Sequence, residues 1–303
     1  MAPPQLPQLR IIEAPPVPSS AGRRRARAAA AASTSVRRTE GGDHVYALAL
    51  DAGICEKTLP SLRNLTESLK APSAGSKNAL VASRGKWRFH AEHPNWKSDI
   101  RWVSAADEAT FRGLFQPLFE KLQIAEHFRS LGEMTLFSGF FVMRRETRKS
   151  YFHKDFGDTG GRAFTLMTPL YDMGALPDCH LLCRVPAERP APAAATLVAA
   201  GADAAVDGGH CEEGGGDAGA EEAGAAEPLT KQYRYRLGEA IVFGDGFEHA
   251  TQTGTAPHML AFLCFTFGDR RCTEEQWAAA EAYIREQGPV WQRPDGRLVL
   301  NGS

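Results

Sequence analysis

Residues 134–145 read MTLFSGFFVMRR, an apolar run dense in aromatic and β-branched side chains, with Gly132 just before it. Such a run is strand material. RAFTLMTPLYDM (162–173) and CHLLCRV (179–185) follow it. After an interruption come KQYRYRLG (231–238), EAIVFG (239–244), HATQTG (249–254) and HMLAFLCFTFG (258–268). Short strands broken by Gly and Pro turns predict an all-β sandwich or barrel over 134–268.

On the N-terminal side the pattern turns helical. EKTLPSLRNLTESLK (56–70) spaces Leu59, Leu62, Leu65 and Leu69 at threes and fours. AADEATFRGLFQPLFEKLQIAEHFRSL (105–131) predicts a second helical region, capped by Ser104 or Asp107 and divided at Pro117. Together these predict a helical layer over 50–131 packed on the β core. Past the core, Thr273 and Gln276 form a capping signature for a helix with Trp277, Tyr283 and Ile284 on one face. A turn at RPDG and a short strand RLVL close the segment 273–302. The expected class is mainly β with flanking helices (α+β).

Two stretches do not read as fold material. Residues 1–43 are rich in Pro, Ala, Ser and Arg with few acids, the character of a plastid or mitochondrial transit peptide. A nuclear-import patch at GRRRAR, or a plain tail on a nuclear or cytoplasmic protein, is the competing reading. Residues 187–228 are Ala/Gly/Glu repeats almost without large apolar side chains. That composition predicts a disordered acidic insertion between two strands. The remainder, 44–303, is expected to be one domain.

Composition narrows the function only a little. The chain has 303 residues, is 43% hydrophobic and 23% charged, and carries a formal net charge of −1. No run of about eighteen apolar residues suggests a membrane span. Near-zero charge gives no global nucleic-acid signature, although RRETRK (144–149) leaves an anionic substrate, nucleic acid included, among the candidates. The cysteines Cys55, Cys179, Cys183, Cys211, Cys264 and Cys272 are too sparse and uneven for a disulfide scaffold. Zinc could in principle use Cys179, His180 and Cys183 with His210 and Cys211, but buried thiols in a strand are the better expectation.

The chemistry-bearing pattern is FHKDFGD, with His153 and Asp155 two apart. On a strand, residues i and i+2 project from one face, so an imidazole and a carboxylate would aim at one point. The alternative is a solvated turn. GEAIVFGDGFEHATQTG offers His249 as a third ligand at the start of a later strand. Two histidines and a carboxylate on one face of an ion leave positions open, as in non-haem Fe(II) oxygenases. No catalytic residue beyond these ligands is evident. Phe140, Phe164, Phe243, Phe262 and Phe265 are expected in the core; Tyr233 and Tyr235 could line the mouth of a pocket, but an exposed strand face is the better expectation.

The order FFVMRRE, FHKD, YRLGEAIVFGDGFEHATQTG and HMLAFLCFTFG resembles the 2-oxoglutarate/Fe(II) dioxygenase superfamily over roughly residues 134–268. That resemblance implies a double-stranded β-helix (jelly-roll, cupin-like) core. It also implies Fe(II) on His153, Asp155 and His249, with 2-oxoglutarate and O2 as co-substrates. Many members carry an Arg or Lys shortly after the distal histidine to pair with the far carboxylate of 2-oxoglutarate. Here the equivalent position is near His258, a weaker and pH-dependent partner. Arg144, Arg145, Arg162 or Arg184 could substitute from neighbouring strands, and Asp158, if it faced the pocket, would repel a dicarboxylate. A TET-like 5-methylcytosine oxygenase using ascorbate, of the algal kind, is one alternative. A non-catalytic barrel with a degenerate co-substrate site is the other.

Overall fold

The structure, a computed structural model, describes residues 36–38, 45–69, 81–91, 99–185 and 229–300. The insertion read at 187–228 and most of the N-terminal segment therefore lie outside the described residues, as do His210 and Cys211. The chain divides into two units, Met1–Val185 with Thr230–Ser303, and Pro186–Leu229. All that follows concerns the first. No described helix is long and apolar enough to cross a membrane.

The strands are β1 (Val36–Arg38), β2 (Val45–Ala49), β3 (Val81–Arg84), β4 (Trp87–Ala91), β5 (Asp99–Ala105), β6 (Met134–Thr147) and β7 (Ala163–Pro169). They continue with β8 (Leu181–Val185), β9 (Leu229–Tyr233), β10 (Glu239–Phe243), β11 (His249–Thr251), β12 (Gly254–Asp269), β13 (Val290–Gln292) and β14 (Leu298–Leu300). Nine form one sheet in the order β1-β2-β10-β7-β12-β6-β5-β4-β3, and three form a second, β11-β8-β9. A lone antiparallel bridge joins His153 to His249 at the edge of the second sheet. From β6 onward the chain alternates between the sheets. β6 lies in the large one, the His153 bridge in the small one, β7 in the large, β8 and β9 in the small, β10 in the large, β11 in the small and β12 in the large. The fold is a double-stranded β-helix.

Period-two alternation explains why the central strands bury both faces. Along β12, Ala261, Leu263, Phe265 and Phe267 join the core under the helices, whereas Leu260, Phe262 and Cys264 face the barrel interior. The helices over the outer face are α1 (Ala52–Ser68), α2 (Glu108–Thr110), α3 (Gln116–Lys121) and α4 (Ile124–His127). They contribute Leu59, Leu62, Phe119, Ile124 and their neighbours to that outer core. The cap expected at Asp107 forms, its Oδ1 accepting from the Thr110 N–H at 2.7 Å. Pro117 falls at the start of α3, directly after a π-helical turn at Phe111–Phe115. A last helix, α5 (Glu274–Gln287), starts with the Thr273/Gln276 capping box and packs Trp277 and Ile284 with Phe137, Phe156 and Trp291.

Three expectations are corrected. The segment 50–131 is no purely helical layer, because β3, β4 and β5 lie within it. The free edge of the fourteen-residue β6 recruits β5, which recruits β4 and β3. The N-terminal segment is not wholly outside the fold either, since Val36–Arg38 pairs antiparallel with β2. Tyr233 and Tyr235 are not on an exposed face. Both are buried in the barrel, with the Tyr233 hydroxyl donating to Glu239 Oε1 at 3.0 Å.

Candidate metal centre

The His153–His249 bridge builds the site. Each histidine exchanges backbone hydrogen bonds with the other, N–H to O at 2.9 and 3.0 Å, which sets the two imidazoles side by side with ring centroids 4.5 Å apart. In each ring Nδ1 faces a carbonyl two residues back, Tyr151 O at 3.1 Å and Phe247 O at 3.3 Å. Donation from Nδ1–H to those carbonyls leaves both Nε2 lone pairs pointing the other way. They point at Asp155 Oδ1, 3.5 Å from each. The ligand atoms of His153, Asp155 and His249 lie within 4.8 Å of one another, the one such group of potential metal ligands among the described residues.

Asp155 carries the test of whether an ion fits. Its side chain is 1% exposed. Oδ2 accepts from the Thr165 hydroxyl at 2.7 Å, while Oδ1 is buried with no hydrogen-bond partner. A buried carboxylate oxygen without a donor is costly. A cation held jointly by Oδ1 and the two Nε2 atoms would satisfy it. Burial pushes the pKa of His249 down to about 4, against the opposing pull of Asp155. The ring is then neutral at ordinary pH, the form that binds a metal. His153 is the exposed ligand, with 37% of its side chain accessible.

Apolar side chains wall the site. A cavity of about 50 Å³ is lined by the triad together with Ile100, Trp102, Phe140, Val142 and Leu181. Tyr283 reaches this cavity from α5. Burial and then the charge of Asp155 hold its phenol pKa well above the usual value.

The other sequence candidates separate clearly. Arg144 is 2% exposed on the inner face of β6. Its guanidinium donates to the Cys179 carbonyl and sits over the rings of Phe262 and Tyr235, at 4.6 and 5.7 Å from their centroids. Cys264, which lines the triad cavity, is close enough to both Asp155 and Arg144 to feel their charges, although burial is what chiefly raises its thiol. His258 instead is exposed and packs on Tyr171, ring centroids 5.2 Å apart. Arg162 pairs with Asp269 at the start of β7. Asp158 is exposed and accepts from the Gly160 N–H at 2.9 Å, so its carboxylate shapes a turn and does not face the cavity. Cys179 and Cys183 are buried and free, and His180 is fixed by Leu176 and Tyr235 backbone groups, so this trio forms no metal site.

Several supporting residues escaped the sequence reading. Asp245, between β10 and β11, accepts from Thr159 N, Thr159 Oγ1 and Gly161 N at 3.0, 2.5 and 2.7 Å. This clamps the loop after Asp155 to the turn before His249, and Gly160 and Gly161 take the left-handed conformation the loop requires. Only the GDTGG and GDG composition hinted at it. Thr165 could have been found as the polar residue between Phe164 and Leu166 on the inward side of a strand.

No protein-family model and no curated protein matches the sequence. Solved structures with similar chain paths include the non-heme alpha-ketoglutarate-dependent epimerase SnoN from nogalamycin biosynthesis, 17% identical with a TM-score of 0.42 over 75% of this chain and 79% of that one. HygX from Streptomyces hygroscopicus, with nickel, 2-oxoglutarate and hygromycin B bound, is 14% identical with a TM-score of 0.43 over 76% and 85%. A prolyl hydroxylase from Trichoplax adhaerens, in complex with a hypoxia-inducible-factor peptide fragment, is 11% identical with a TM-score of 0.44 over 78% and 86%. The fold assignment stands on the strand order and not on these likenesses.

Proposed function

We propose that this chain is an Fe(II)-dependent oxygenase that oxidises a C–H bond of its substrate with O2 and 2-oxoglutarate or a related co-substrate, its metal held by His153, Asp155 and His249. The observation that supports it best is Asp155 Oδ1, buried, partnerless and equidistant from two Nε2 lone pairs. A ferrous ion bound there supplies the redox chemistry that activates dioxygen. The chain's own part is to present three ligands on one side and leave the other side open. Trp102, Phe140, Val142 and Leu181 keep that side apolar, which excludes competing water. His153, the exposed ligand, marks the approach for a substrate.

Arg144 is the residue we assign to the far carboxylate of the co-substrate. Of the sequence candidates for this role it alone is buried inside the barrel, and its permanent charge suits a carboxylate better than the exposed His258 does. One observation favours a second reading. The cavity beside the triad is only about 50 Å³, so a dicarboxylate enters only if side chains move, and a barrel that binds a metal without turnover needs no such movement.

Anaerobic Fe(II) with 2-oxoglutarate decides between them. The oxygenase reading expects a weak visible charge-transfer band that His153→Ala abolishes, and O2 consumption coupled to loss of 2-oxoglutarate. A protein that consumes O2 with ascorbate and without 2-oxoglutarate would reassign the co-substrate. Metal binding with neither band nor O2 uptake under either co-substrate would leave the non-catalytic barrel.

A further inference from the structure

The two oxygens of Asp155 are treated differently, and the reason lies in β7. Oδ2 takes the Thr165 hydroxyl at 2.7 Å, while Oδ1 alone faces the histidines. Thr165 points into a barrel interior otherwise built from Phe140, Val142, Met167, Phe262 and similar side chains. A buried hydroxyl in such surroundings persists only with a partner, and here the partner is the carboxylate.

Thr165 also has a polar neighbour across the sheet. In the β12–β7 ladder it stands directly opposite Thr266, whose hydroxyl donates to Gln287 Oε1 at 2.9 Å at the end of α5. Gln287 Nε2 is buried as well, and one helical turn earlier on α5 lies Tyr283, whose phenol interacts with both Asp155 and Gln287. Asp155, Thr165, Thr266 and Gln287, all buried, thus form with the half-buried Tyr283 a polar group that spans from the triad to the C-terminal helix.

We propose that Thr165 and, through α5, Tyr283 are positioning residues that hold Asp155 with Oδ1 alone toward the metal. The inference deepens the metal reading and rests on it. With Oδ2 engaged, the carboxylate is confined to one-oxygen ligation and cannot rotate away. Without the Thr165 hydroxyl it can turn or chelate with both oxygens. Tyr283 contacts the same carboxylate from the opposite element, so the docking of α5 and the geometry of the site are linked.

Co(II) titration, followed by calorimetry and by the visible d–d spectrum, tests this with no need for turnover. Thr165→Val is expected to weaken Co(II) binding about 10- to 100-fold and to alter the band positions. Thr165→Ser, which keeps the hydroxyl, is expected to restore both. Tyr283→Phe is expected to weaken binding several-fold. A Thr165→Val protein with wild-type affinity and spectrum overturns the proposal, and so does a serine variant that behaves like valine while remaining folded by circular dichroism. Co(II) uptake by the wild type that is insensitive to these variants but lost in His249→Ala would sink the positioning role and keep the metal site. A wild type that takes up no Co(II) overturns both.

Discussion

The two faces of β12 are both buried, yet they are built to different rules. The outer face sets Phe265 and Phe267 among Phe119, Phe128 and Phe164 at ring separations of 5.5–5.7 Å, with no polar side chain in that contact set. The inner face mixes Leu260 and Phe262 with Cys264, and it looks onto Arg144, Thr165 and the triad. Apolar burial on one side supplies the stability that tolerates an incompletely satisfied polar cluster on the other. A barrel designed for stability alone would carry two outer faces.

Substitutions on the two sides should therefore fail differently. The largest expected effect is on the outer face. Phe267 is fully buried against three aromatic rings, and Phe267→Ala should cost about 3–5 kcal/mol of unfolding free energy. Urea titration would measure it. Divalent-metal affinity of the molecules that remain folded should be unchanged. A large loss of metal affinity in folded Phe267→Ala protein would mean that the two faces are not separable.

Asp155→Ala is the inner-face counterpart. It removes a buried carboxylate with one orphaned oxygen, so the metal-free protein should keep its stability within about 1 kcal/mol, the lost Thr165 contact offsetting the relieved desolvation. Metal affinity should fall by at least about 100-fold, roughly 2.7 kcal/mol. Urea titration of the apoprotein and Mn(II) or Co(II) titration of the same sample give both numbers. A variant that unfolds yet still binds the ion would invert the contrast.

Arg144 lies between these extremes, because it is charged and also packed. Arg144→Met keeps much of the stem volume over Phe262 and removes the charge. With Arg144 as the carboxylate partner, 2-oxoglutarate affinity should fall about 30-fold or more, and Co(II) affinity should hold within about twofold. Equal 2-oxoglutarate affinity in the variant and the wild type, by calorimetry on the metal-loaded protein, would move the carboxylate to another cation.

How much of this was readable from the sequence follows from the same contrast. Short apolar runs rich in aromatic and β-branched residues, set off by Gly and Pro turns, exposed β6 to β12, since each strand carries its own signal. His-x-Asp plus a distal histidine exposed the triad, since two ligands come from one strand-like segment. Other features are set by tertiary pairing. β4 and β5 alternate, with Trp87 and Phe89 buried on one face of β4, but their strand identity depends on the free edge of β6. Arg144 sits in MRRE, where nothing local separates the buried arginine from the exposed Arg145 beside it. Thr165 and Tyr283 lie far apart in sequence and share a role only because β7 and α5 converge on one carboxylate.

The smallest effect concerns an inner polar residue whose partners are complete. His180 is fully buried; its Nδ1 accepts from Tyr235 N–H at 3.2 Å, and its Nε2 donates to Leu176 O at 2.9 Å. Burial holds its pKa below the ordinary 6.5. Protonation would also put a second donor against the Tyr235 N–H. With the folded pKa lowered, the unfolded chain binds more protons below about pH 6.5, so this residue removes stability as pH falls through 6.5 toward the folded pKa and contributes no slope above that. His180→Gln retains a donor and an acceptor without the titration. Its urea midpoint should lie slightly below the wild-type value at pH 8 and change less between pH 7 and pH 5. An equally steep acid limb in the variant would assign that slope to other groups, and the contrast between satisfied and unsatisfied inner polar residues would then rest on Asp155 alone.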